Sequence, residues 1–518
     1  MSSHGHAGAG TQLRRDILTT LLPGFSGTEA PEWLLRRLDD GLGGVCIFGH
    51  NIADVAQLRA LNASLRAANP LAVIAIDEEG GDVTRLFYDR GAPYPGNALL
   101  GRIDDPDLTG EVARSVGEAL VATGCTLTFA PDVDVNSNPA NPVIGVRSFG
   151  ADAGLVARHA AAWVRGLQQT GIAASAKHFP GHGDTSEDSH LALPVVDVSP
   201  AELRERELVP FRAAIAAGAR TIMTSHLLLP QLDGEHPATL SRPVVHGLLR
   251  EELAFQGVIV TDALDMAGAS GVRGIPEAAV QALAAGCDLL CIGADNTEAQ
   301  LDEIMAAVAS AVGSGRLPAQ RIRDAAARVR GLAAAAPAMP DATAVRESPD
   351  AAETALLDRL AGAFEVSDAA KERLAAASGP GTLIRVEAAA SIAVGVVPWG
   401  PFAATIDSPE VRADLAGIGT ILELDEHTAM PDPASLAGPV LLVGRDLHRH
   451  PFAVAAIDAL RSARDDVVVV EMGWPSRRPG YADIATFGAS RLVGRALVRL
   501  LGILNRSRFP AAPARTAS

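Results

Sequence analysis

The first two thirds of this 518-residue chain alternate between short apolar runs and segments with helical periodicity. Eight of the runs have the near-continuous apolar character of parallel strands that are buried on both faces. These strand candidates are residues 17–25, 43–49, 72–80, 125–135, 172–181, 221–229, 257–265 and 287–293. Eight strands that are each followed by a helix predict a (β/α)8 barrel of the TIM type. An open, doubly wound sheet is the alternative, because periodicity does not show whether a sheet closes.

The composition changes after the eighth strand and helix pair. Residues 333–350 are rich in Ala, Pro, Thr and Ser and lack a clear period, which is typical of a linker. Alternation then resumes on a smaller scale, with strand candidates at 382–387, 392–397, 420–424, 440–443 and 467–471. We therefore expect an α/β protein with a barrel domain over 11–332, a linker over 333–350 and a smaller α/β sandwich domain over 351–518.

Charge and composition exclude several classes of function. The chain has 44 Lys and Arg against 61 Asp and Glu, a net charge of −17, which argues against nucleic acid or an anionic membrane as the main partner. Four cysteines are too few for a disulfide scaffold. Residues 1–10 have the composition of a loose tail, and no export pattern or long apolar run follows, so we expect a cytoplasmic protein. We expect no cofactor.

Ionisable residues follow five consecutive strand candidates at the ends where a barrel carries its active site. They are Asp77 to Glu79, then Asp132 and Asp134 with the loop that contains Arg147, then the segment from Lys177 to Asp184, then His226, and finally Asp262. Random scatter would place many of them at the opposite rim or in helices. This pattern predicts an active site at the carboxyl ends of the strands.

The segment 177–190, KHFPGHGDTSEDSH, carries most of the chemistry. Lys177 is one of only two lysines among 44 basic residues, so this chain uses arginine wherever a general cation suffices. A lysine provides a compact charge with rotating donors, which suits a substrate hydroxyl. The alternative is a solvated loop with an incidental lysine.

Asp188 and His190 lie two residues apart in that segment. Such an Asp can hold an imidazole so that its other nitrogen faces a substrate, and an imidazole with a pKa of roughly 6.5 transfers protons near neutral pH. The alternative is that both are exposed loop residues. Asp262 follows a strand and is a candidate nucleophile, but an Asp there also suits the N-cap of a following helix.

Several of these stretches, taken together, resemble one enzyme family. The sequences IDEEGGDVTRL, FAPDVDV, IGVRSFG, KHFPGHGDTSEDSH and GVIVTDALDM resemble glycoside hydrolase family 3, in its β-N-acetylglucosaminidase branch, over about residues 18–332 and in the family's order. The resemblance implies that Asp262 is the catalytic nucleophile and that His190, held by Asp188, is the acid/base. It also implies that the sugar is held by Asp77, Arg85, Arg147, Lys177 and His178. Glu78 and Asp82 depart from the family pattern, in which Gln and Arg are common.

The implied activity is that of a retaining exo-β-N-acetylglucosaminidase acting on short glycosides or cell-wall fragments through a covalent glycosyl-enzyme. The expected partner is a small carbohydrate. A histidine in place of the second carboxylate removes a negative charge, which favours an anionic aglycone or acceptor. A phosphorylase that uses the same residues, with phosphate as the acceptor, is therefore an alternative.

The same residues are compatible with three competing functions. A metal-dependent hydrolase would use His178, His182 and His190 with Asp184, although their spacing lacks a standard zinc signature. We expect no metal. A substrate-assisted hexosaminidase would use an Asp–Glu pair such as Asp77 and Glu78. A non-catalytic sugar-binding protein on an enzyme scaffold is the third.

Overall fold

A computed structural model of the protein describes residues 3–187, 193–339, 350–377, 379–388, 390–476 and 478–506. The chain forms two compact units. The first contains residues 1–86 and 104–346, and the second contains residues 87–103 and 347–518.

The strands of the two units are short. In chain order they are β1 Leu21–Leu22, β2 Gly44–Ile47, β3 Val73–Ile76, β4 Leu127–Thr128, β5 Ala173–Phe179, β6 Thr221–Thr224, β7 Val258–Val260, β8 Leu290–Cys291, β9 Glu365–Val366, β10 Gly381–Val386, β11 Gly419–Leu424, β12 Val440–Gly444, β13 Val467–Glu471 and β14 Ile484–Ala485.

Helices separate almost all of these strands. They are α1 Ser3–Thr19, α2 Glu32–Asp39, α3 Val55–Ala68, α4 Asn97–Ile103, α5 Pro106–Thr123, α6 Ala153–Gln168, α7 Pro200–Glu202, α8 Leu208–Ala216, α9 Ala267–Ser270, α10 Ile275–Ala285, α11 Glu298–Gly313, α12 Ala319–Ala334, α13 Asp350–Gly362, α14 Asp368–Ala376, α15 Gly400–Ala404, α16 Pro409–Ile418, α17 Pro451–Ala463 and α18 Arg491–Arg506. Two π-helical segments, Leu203–Glu207 and Pro243–Glu252, lie between α7 and α8 and between β6 and β7.

The helix ends follow local sequence signals. Asp105 caps α5 by accepting hydrogen bonds from two backbone N–H groups of its first turn, and Asp152 caps α6 in the same way with one. Helix α5 ends at Gly124, whose φ of 83° lies in the left-handed region that glycine adopts without strain.

The first unit is built on parallel strands. Six of them form one sheet in the order β2-β3-β4-β5-β6-β7, which is a half-barrel, and β1 pairs with β8. Backbone hydrogen bonds also join the edges of the two sheets. Thr261 donates to the carbonyl of Leu289 (3.0 Å), and Cys46 donates to the carbonyl of Pro23 (2.9 Å).

One cluster of buried apolar side chains contains a residue from each of these eight strands. Its members on the strands include Leu22, Cys46, Ala75, Leu127, Ala173, Met223, Val260 and Cys291. Burying each large aliphatic side chain contributes roughly 1.5–3 kcal/mol to folding. The carboxyl ends of the strands therefore rest on a packed core, which holds the side chains that follow them.

The amino-terminal prediction is partly wrong. Residues from Ser3 onward form α1 rather than a loose tail, and this helix runs to Thr19, through the start of the strand predicted over 17–25. Ile17 and Leu18 are buried in this helix. A short apolar run does not distinguish a buried strand from a buried helical turn, and that ambiguity produced the error.

Residues 87–103 lie inside the range predicted for the barrel but cluster with the second unit. Leu99 of α4 is fully buried in a core cluster with Trp399 and several residues of α18. The backbone N–H of Val396 donates to the hydroxyl oxygen of Tyr88 (3.0 Å). Residues 87–103 therefore belong to the core of the second unit, although the sequence on both sides of them belongs to the first unit.

The second unit contains a sheet of six strands in the order β11-β10-β12-β13-β14-β9, in which only β9 pairs antiparallel. Alternate residues of its strands enter two different core clusters. Leu383, Leu441 and Val470 pack with α13 and α18, whereas Ile384, Leu442 and Val469 pack with α17. Both faces of the sheet are therefore covered, as expected for parallel strands.

In the second unit one strand prediction was wrong and two strands were missed. Residues 392–397, predicted as a strand, form turns and irregular chain, and the two-residue strands β9 and β14 were not predicted. Two residues give no measurable alternation, so such strands are defined only by their pairing partners. None of the helices in the described part of the chain combines the length and apolar character needed to cross a membrane.

Candidate active site

The ionisable residues after β3, β4 and β5 come together, as the strand-end pattern predicts. Asp77 and Glu79 follow β3, Asp132 and Asp134 follow β4, and Lys177 lies within β5. Lys177 Nζ is 2.8 Å from Asp77 Oδ1 and 2.7 Å from Glu79 Oε1. The rare lysine is thus buried between two carboxylates, which raise its pKa against the effect of burial.

Glu79 also binds Arg147. Its carboxylate accepts hydrogen bonds from Arg147 Nε (3.0 Å) and Nη2 (2.8 Å), and both side chains are buried. Burial alone raises the pKa of Glu79, but the charges of Arg147 and Lys177 outweigh it and bring the pKa to about 2. Asp77 is likewise held at a pKa of about 2, against the effect of burial, by the charges of Lys177 and Arg85. Both carboxylates are ionised.

His178 is held at both ring nitrogens. Its Nδ1 lies 2.7 Å from Asp134 Oδ2, and its Nε2 lies 3.3 Å from Arg147 Nη2. Because a guanidinium only donates, Nε2 accepts and Nδ1 carries the proton. Burial, together with the charges of Arg147 and Lys177, lowers the pKa of His178 well below its usual value, so the ring is neutral.

Asp134 and Asp132 hold the other residues of this cluster in place. Asp134 accepts hydrogen bonds from the backbone N–H groups of His178 and His182, in addition to the His178 ring. Asp132 accepts from the backbone N–H of Asp134 (3.0 Å), and its Oδ2 lies 3.6 Å from Arg147 Nη2. Burial raises the pKa of both aspartates.

Asp262 lies two residues after β7 and is half-buried. Its Oδ1 accepts a hydrogen bond from the backbone N–H of Ala263 (2.8 Å). Burial lowers the pKa of His178 and of His182, and the negative charge of Asp262 opposes this effect at both rings. Because β7 lies in the same parallel sheet as β5, Asp262 follows its strand at the same edge as these histidines. The next helix, α9, has Met266 at its N-cap position, so the alternative role of Asp262 as a helix cap is wrong.

Arg85 lies in the turn that follows β3. Its backbone N–H donates to Glu78 Oε2 (3.0 Å), and its guanidinium donates to the carbonyl of Thr84 (3.3 Å). Its charge acts on Asp77. The five predicted sugar-binding residues are therefore connected by contacts or charge.

Asp188 and His190 lie outside the described residues. The described segment just before them is anchored in two ways. Asp184 pairs with Arg206 Nη2 (2.7 Å), and His182 Nδ1 lies 2.9 Å from the hydroxyl of Thr185. Arg206 also binds the buried Glu207, whose pKa burial raises to about 7.

The residues that a metal-dependent hydrolase would use have partners within the protein. His178, His182 and Asp184 contact Asp134, Thr185 and Arg206, and His190 is not described. Within the described ranges, one group of potential ligands, Asp132, Asp134 and His178, has donor atoms within 4.8 Å of one another. Asp134 already accepts a hydrogen bond from the neutral His178 ring, and Arg147 Nη2 lies 3.6 Å from Asp132 Oδ2.

Sequence analysis placed Glu79 and Asp134 at the strand ends without giving them a role, and it considered His182 only as a ligand in the metal-dependent alternative. All three lie in the stretches that carry the family resemblance, where their ionisable side chains are visible. What was not visible is that Glu79 and Asp134 bind Lys177, Arg147 and His178 across three strands.

A family model for the Glycosyl hydrolase family 3 N terminal domain matches residues 26–332. The chain belongs to glycoside hydrolase family 3. Every described candidate residue of the site lies within the matched range.

Two beta-hexosaminidases are similar to this chain over more than half of its length. Beta-hexosaminidase A of Pseudoalteromonas piscicida is 37% identical over 345 residues, which are 61% of this chain and 56% of that protein, so the chain matches little more than half of its length. A beta-hexosaminidase of Thiobacillus denitrificans is 38% identical over 67% of this chain and 94% of its own length.

One solved structure is similar over nearly the whole chain. It is a glycoside hydrolase family 3 beta-N-acetylglucosaminidase from Paenibacillus sp. str. FPU-7, with a TM-score of 0.81 and 32% identity. The match covers 95% of this chain and 97% of that one.

Proposed function

We propose that this family 3 glycoside hydrolase is a retaining exo-β-N-acetylglucosaminidase that removes terminal β-linked N-acetylglucosamine from short glycosides or cell-wall fragments. The observation that carries the proposal is that Asp262 follows β7 at the same ends of the parallel strands where His178 is bound into the network of Lys177, Glu79 and Arg147. A candidate nucleophile therefore shares this edge of the sheet with candidate sugar-binding groups. The names of the two beta-hexosaminidases and of the similar solved structure support the choice of sugar.

The sugar-binding role is assigned to Asp77, Arg85, Arg147, Lys177 and His178. The ionised carboxylate of Asp77 accepts from sugar hydroxyls, while Lys177 and Arg147 donate to hydroxyl or acetamido oxygens. Because Glu79 already binds both cations, their side chains are oriented before substrate arrives, which reduces the entropy lost on binding.

In the proposed first step, Asp262 attacks the anomeric carbon and forms a glycosyl ester, while His190 gives a proton to the departing oxygen. Asp188 orients His190. In the second step His190 takes a proton from water, which attacks the anomeric carbon and releases Asp262. Two inversions at that carbon leave its configuration unchanged.

A fluorinated N-acetylglucosamine analogue that forms a slowly hydrolysed covalent intermediate tests the nucleophile. We expect peptide mass spectrometry to find the label on Asp262 and NMR to find β-N-acetylglucosamine as the first product. Label on another residue, or an α-anomer released first, would overturn the mechanism.

Asp262→Asn distinguishes this mechanism from that of a substrate-assisted hexosaminidase. Glu78, which the substrate-assisted mechanism needs near the sugar, is fully buried, and its Oε2 accepts three hydrogen bonds from residues 84–86. We expect the variant to lose at least about a thousandfold in kcat with an unchanged melting temperature. A loss of only a fewfold would instead support the acetamido group as nucleophile.

Phosphate as the acceptor is tested by product analysis with and without added phosphate. Lys177 pairs with Asp77 and Glu79, and Arg147 pairs with Glu79, so two carboxylates compensate the two cations, which favours water over an anionic acceptor. We expect the same free sugar in both conditions. A sugar 1-phosphate in the sample with phosphate would show that the enzyme is a phosphorylase.

The metal-dependent alternative is tested by dialysis against a strong chelator. Turnover that stops after this treatment would show that the enzyme is a metal-dependent hydrolase.

The remaining predictions form part of this proposal. We infer that the eight strands of the first unit close into a (β/α)8 barrel, which the shared core cluster and the edge hydrogen bonds support. The catalytic domain is assigned to residues 11–332 without residues 87–103, which pack in the second unit. The linker is assigned to 333–350 and a C-terminal α/β sandwich to 351–518. A cytoplasmic location stays a prediction that cell fractionation would check.

A further inference from the structure

Glu78 differs from its neighbours in the direction of its contacts. Asp77 and Glu79 face Lys177, whereas Glu78 is fully buried and bonded to the turn that follows. Its backbone is tied to β4, since its N–H donates to the hydroxyl of Thr128 (3.1 Å) and its carbonyl accepts from that hydroxyl (3.0 Å). Glu78 thus links the strand ends to residues 84–86.

A single oxygen of Glu78 holds that turn. Oε2 accepts hydrogen bonds from the hydroxyl of Thr84 (2.7 Å) and from the backbone N–H groups of Arg85 (3.0 Å) and Leu86 (3.0 Å). Because three donors bind this one acceptor, the backbone at Arg85 is fixed. The point from which the Arg85 side chain extends is therefore fixed as well. The guanidinium lies close enough to Asp77 to lower the pKa of that carboxyl.

The other oxygen of Glu78 is buried and makes no hydrogen bond to any described residue. Burial raises the pKa of Glu78 to about 7, against the three hydrogen bonds and the charge of Arg85. The other titratable groups around it are Asp77 and Glu79, both paired with Lys177, and the buried thiol of Cys125. No cation pairs with Glu78 among the described ion pairs, so an ionised carboxylate here is costly.

We propose that Glu78 is a positioning residue for the sugar-binding site: its hydrogen bonds to residues 84–86 set the place of Arg85. The inference rests on the proposed role of Arg85 in holding the sugar. A glutamine preserves the acceptor oxygen that holds the turn, whereas an alanine leaves the Thr84 hydroxyl and two backbone N–H groups without that acceptor.

Steady-state kinetics of the wild type, Glu78→Gln and Glu78→Ala on an aryl β-N-acetylglucosaminide test this inference. We expect Glu78→Gln, which keeps the acceptor oxygen, to have nearly the KM and kcat of the wild type. We expect Glu78→Ala to raise KM about tenfold with kcat changed much less.

Arg85→Ala provides the coupling test: adding Glu78→Ala to it is expected to raise KM little further, because the side chain that Glu78 positions is already gone. Glu207→Ala is the matched control, because Glu207 is also buried but binds Arg206 instead of the turn. We expect its effect on KM to be the same with and without Arg85→Ala.

Each outcome decides one question. If the wild type does not hydrolyse the substrate, the proposed function fails. If it does, and the effects of Glu78→Ala and Arg85→Ala on KM are additive, the positioning role of Glu78 is wrong. Melting temperatures report folding for each variant. Where Glu78→Ala does not fold, a tenfold rise in the KM of Glu78→Gln would equally overturn the role, because that variant keeps the acceptor oxygen.

Discussion

Arg147 and Glu79 form a two-bond ion pair in the interior of the first unit, with Nε and Nη2 of the arginine 3.0 and 2.8 Å from the two carboxylate oxygens. Both side chains are at most 5% exposed. Glu79 also forms an ion pair with Lys177, so one carboxylate orients two of the residues proposed to hold the sugar. Its removal is expected to affect both stability and binding.

Glu79→Gln is predicted to destabilise the protein by about 3–5 kcal/mol, because two buried cations lose a shared counter-charge. Urea unfolding measures this change, and KM is expected to rise in the fraction that stays folded. Glu118→Gln removes the exposed pair with Arg114 and serves as the control, with an expected loss of at most about 1 kcal/mol. Equal losses in the two variants would contradict the role given to Glu79.

Asp134→Asn is predicted to disturb the tautomer of His178. The amide oxygen can still accept one N–H, but the NH2 group that replaces the second oxygen opposes the Nδ1 proton of the ring. A proton moved to Nε2 would then face Arg147. We expect kcat/KM to fall about 100-fold or more, by analogy with the orienting aspartate of serine proteases. The imidazole ¹⁵N shifts of His178 report the tautomer directly, and an unchanged spectrum would refute this explanation.

Arg206→Gln is predicted to affect substrates according to their leaving groups. Arg206 pairs with Asp184, four residues before the proposed Asp188–His190 pair, so its loss weakens the anchor of that segment. Protonation matters most for poor leaving groups, so we expect about a tenfold loss of kcat/KM on an alkyl glycoside and little loss on a dinitrophenyl glycoside. Arg204→Gln, which removes an exposed pair with Glu252 in the same π-helical segment, is the control. Equal losses on both substrates would mean that Arg206 supports the fold alone.

Glu78 makes stability depend on pH. Burial raises its folded-state pKa from 4.5 to about 7, so the folded state holds this proton more tightly than the unfolded state. This contribution to stability is greatest below pH 4.5 and declines as pH rises toward 7. Glu78→Gln is therefore predicted to gain about 2–3 kcal/mol over the wild type at pH 8 compared with pH 4.5. Urea unfolding across this range measures the difference, and exposed Glu111→Gln should show none. A parallel pH dependence in Glu78→Gln and the wild type would contradict the shift.

The apolar runs in the sequence predicted which segments are strands better than they predicted where those strands begin and end. Residues 440–443 and 467–471 were predicted as strands and are β12 and β13 within a residue, because both are continuous apolar runs. The run over 125–135 was predicted as one strand, yet only Leu127–Thr128 is β4. Beyond it the chain is held by single bonds, such as Val133 N–H to the carbonyl of Lys177. Ladder pairing depends on a neighbouring strand, which a local pattern does not contain.

The order of charged residues along the chain was sufficient to predict that Asp77, Arg147, Lys177 and His178 meet at one end of a parallel sheet, because side-chain periodicity and strand direction are local properties. Only the tertiary structure decided which charges compensate each other. Glu79 lies 68 positions before Arg147 in the chain but within hydrogen-bond distance of it in space. Electrostatic energy in a buried region depends on distances of a few ångströms and on the loss of water, and neither is written in the spacing of residues along the chain.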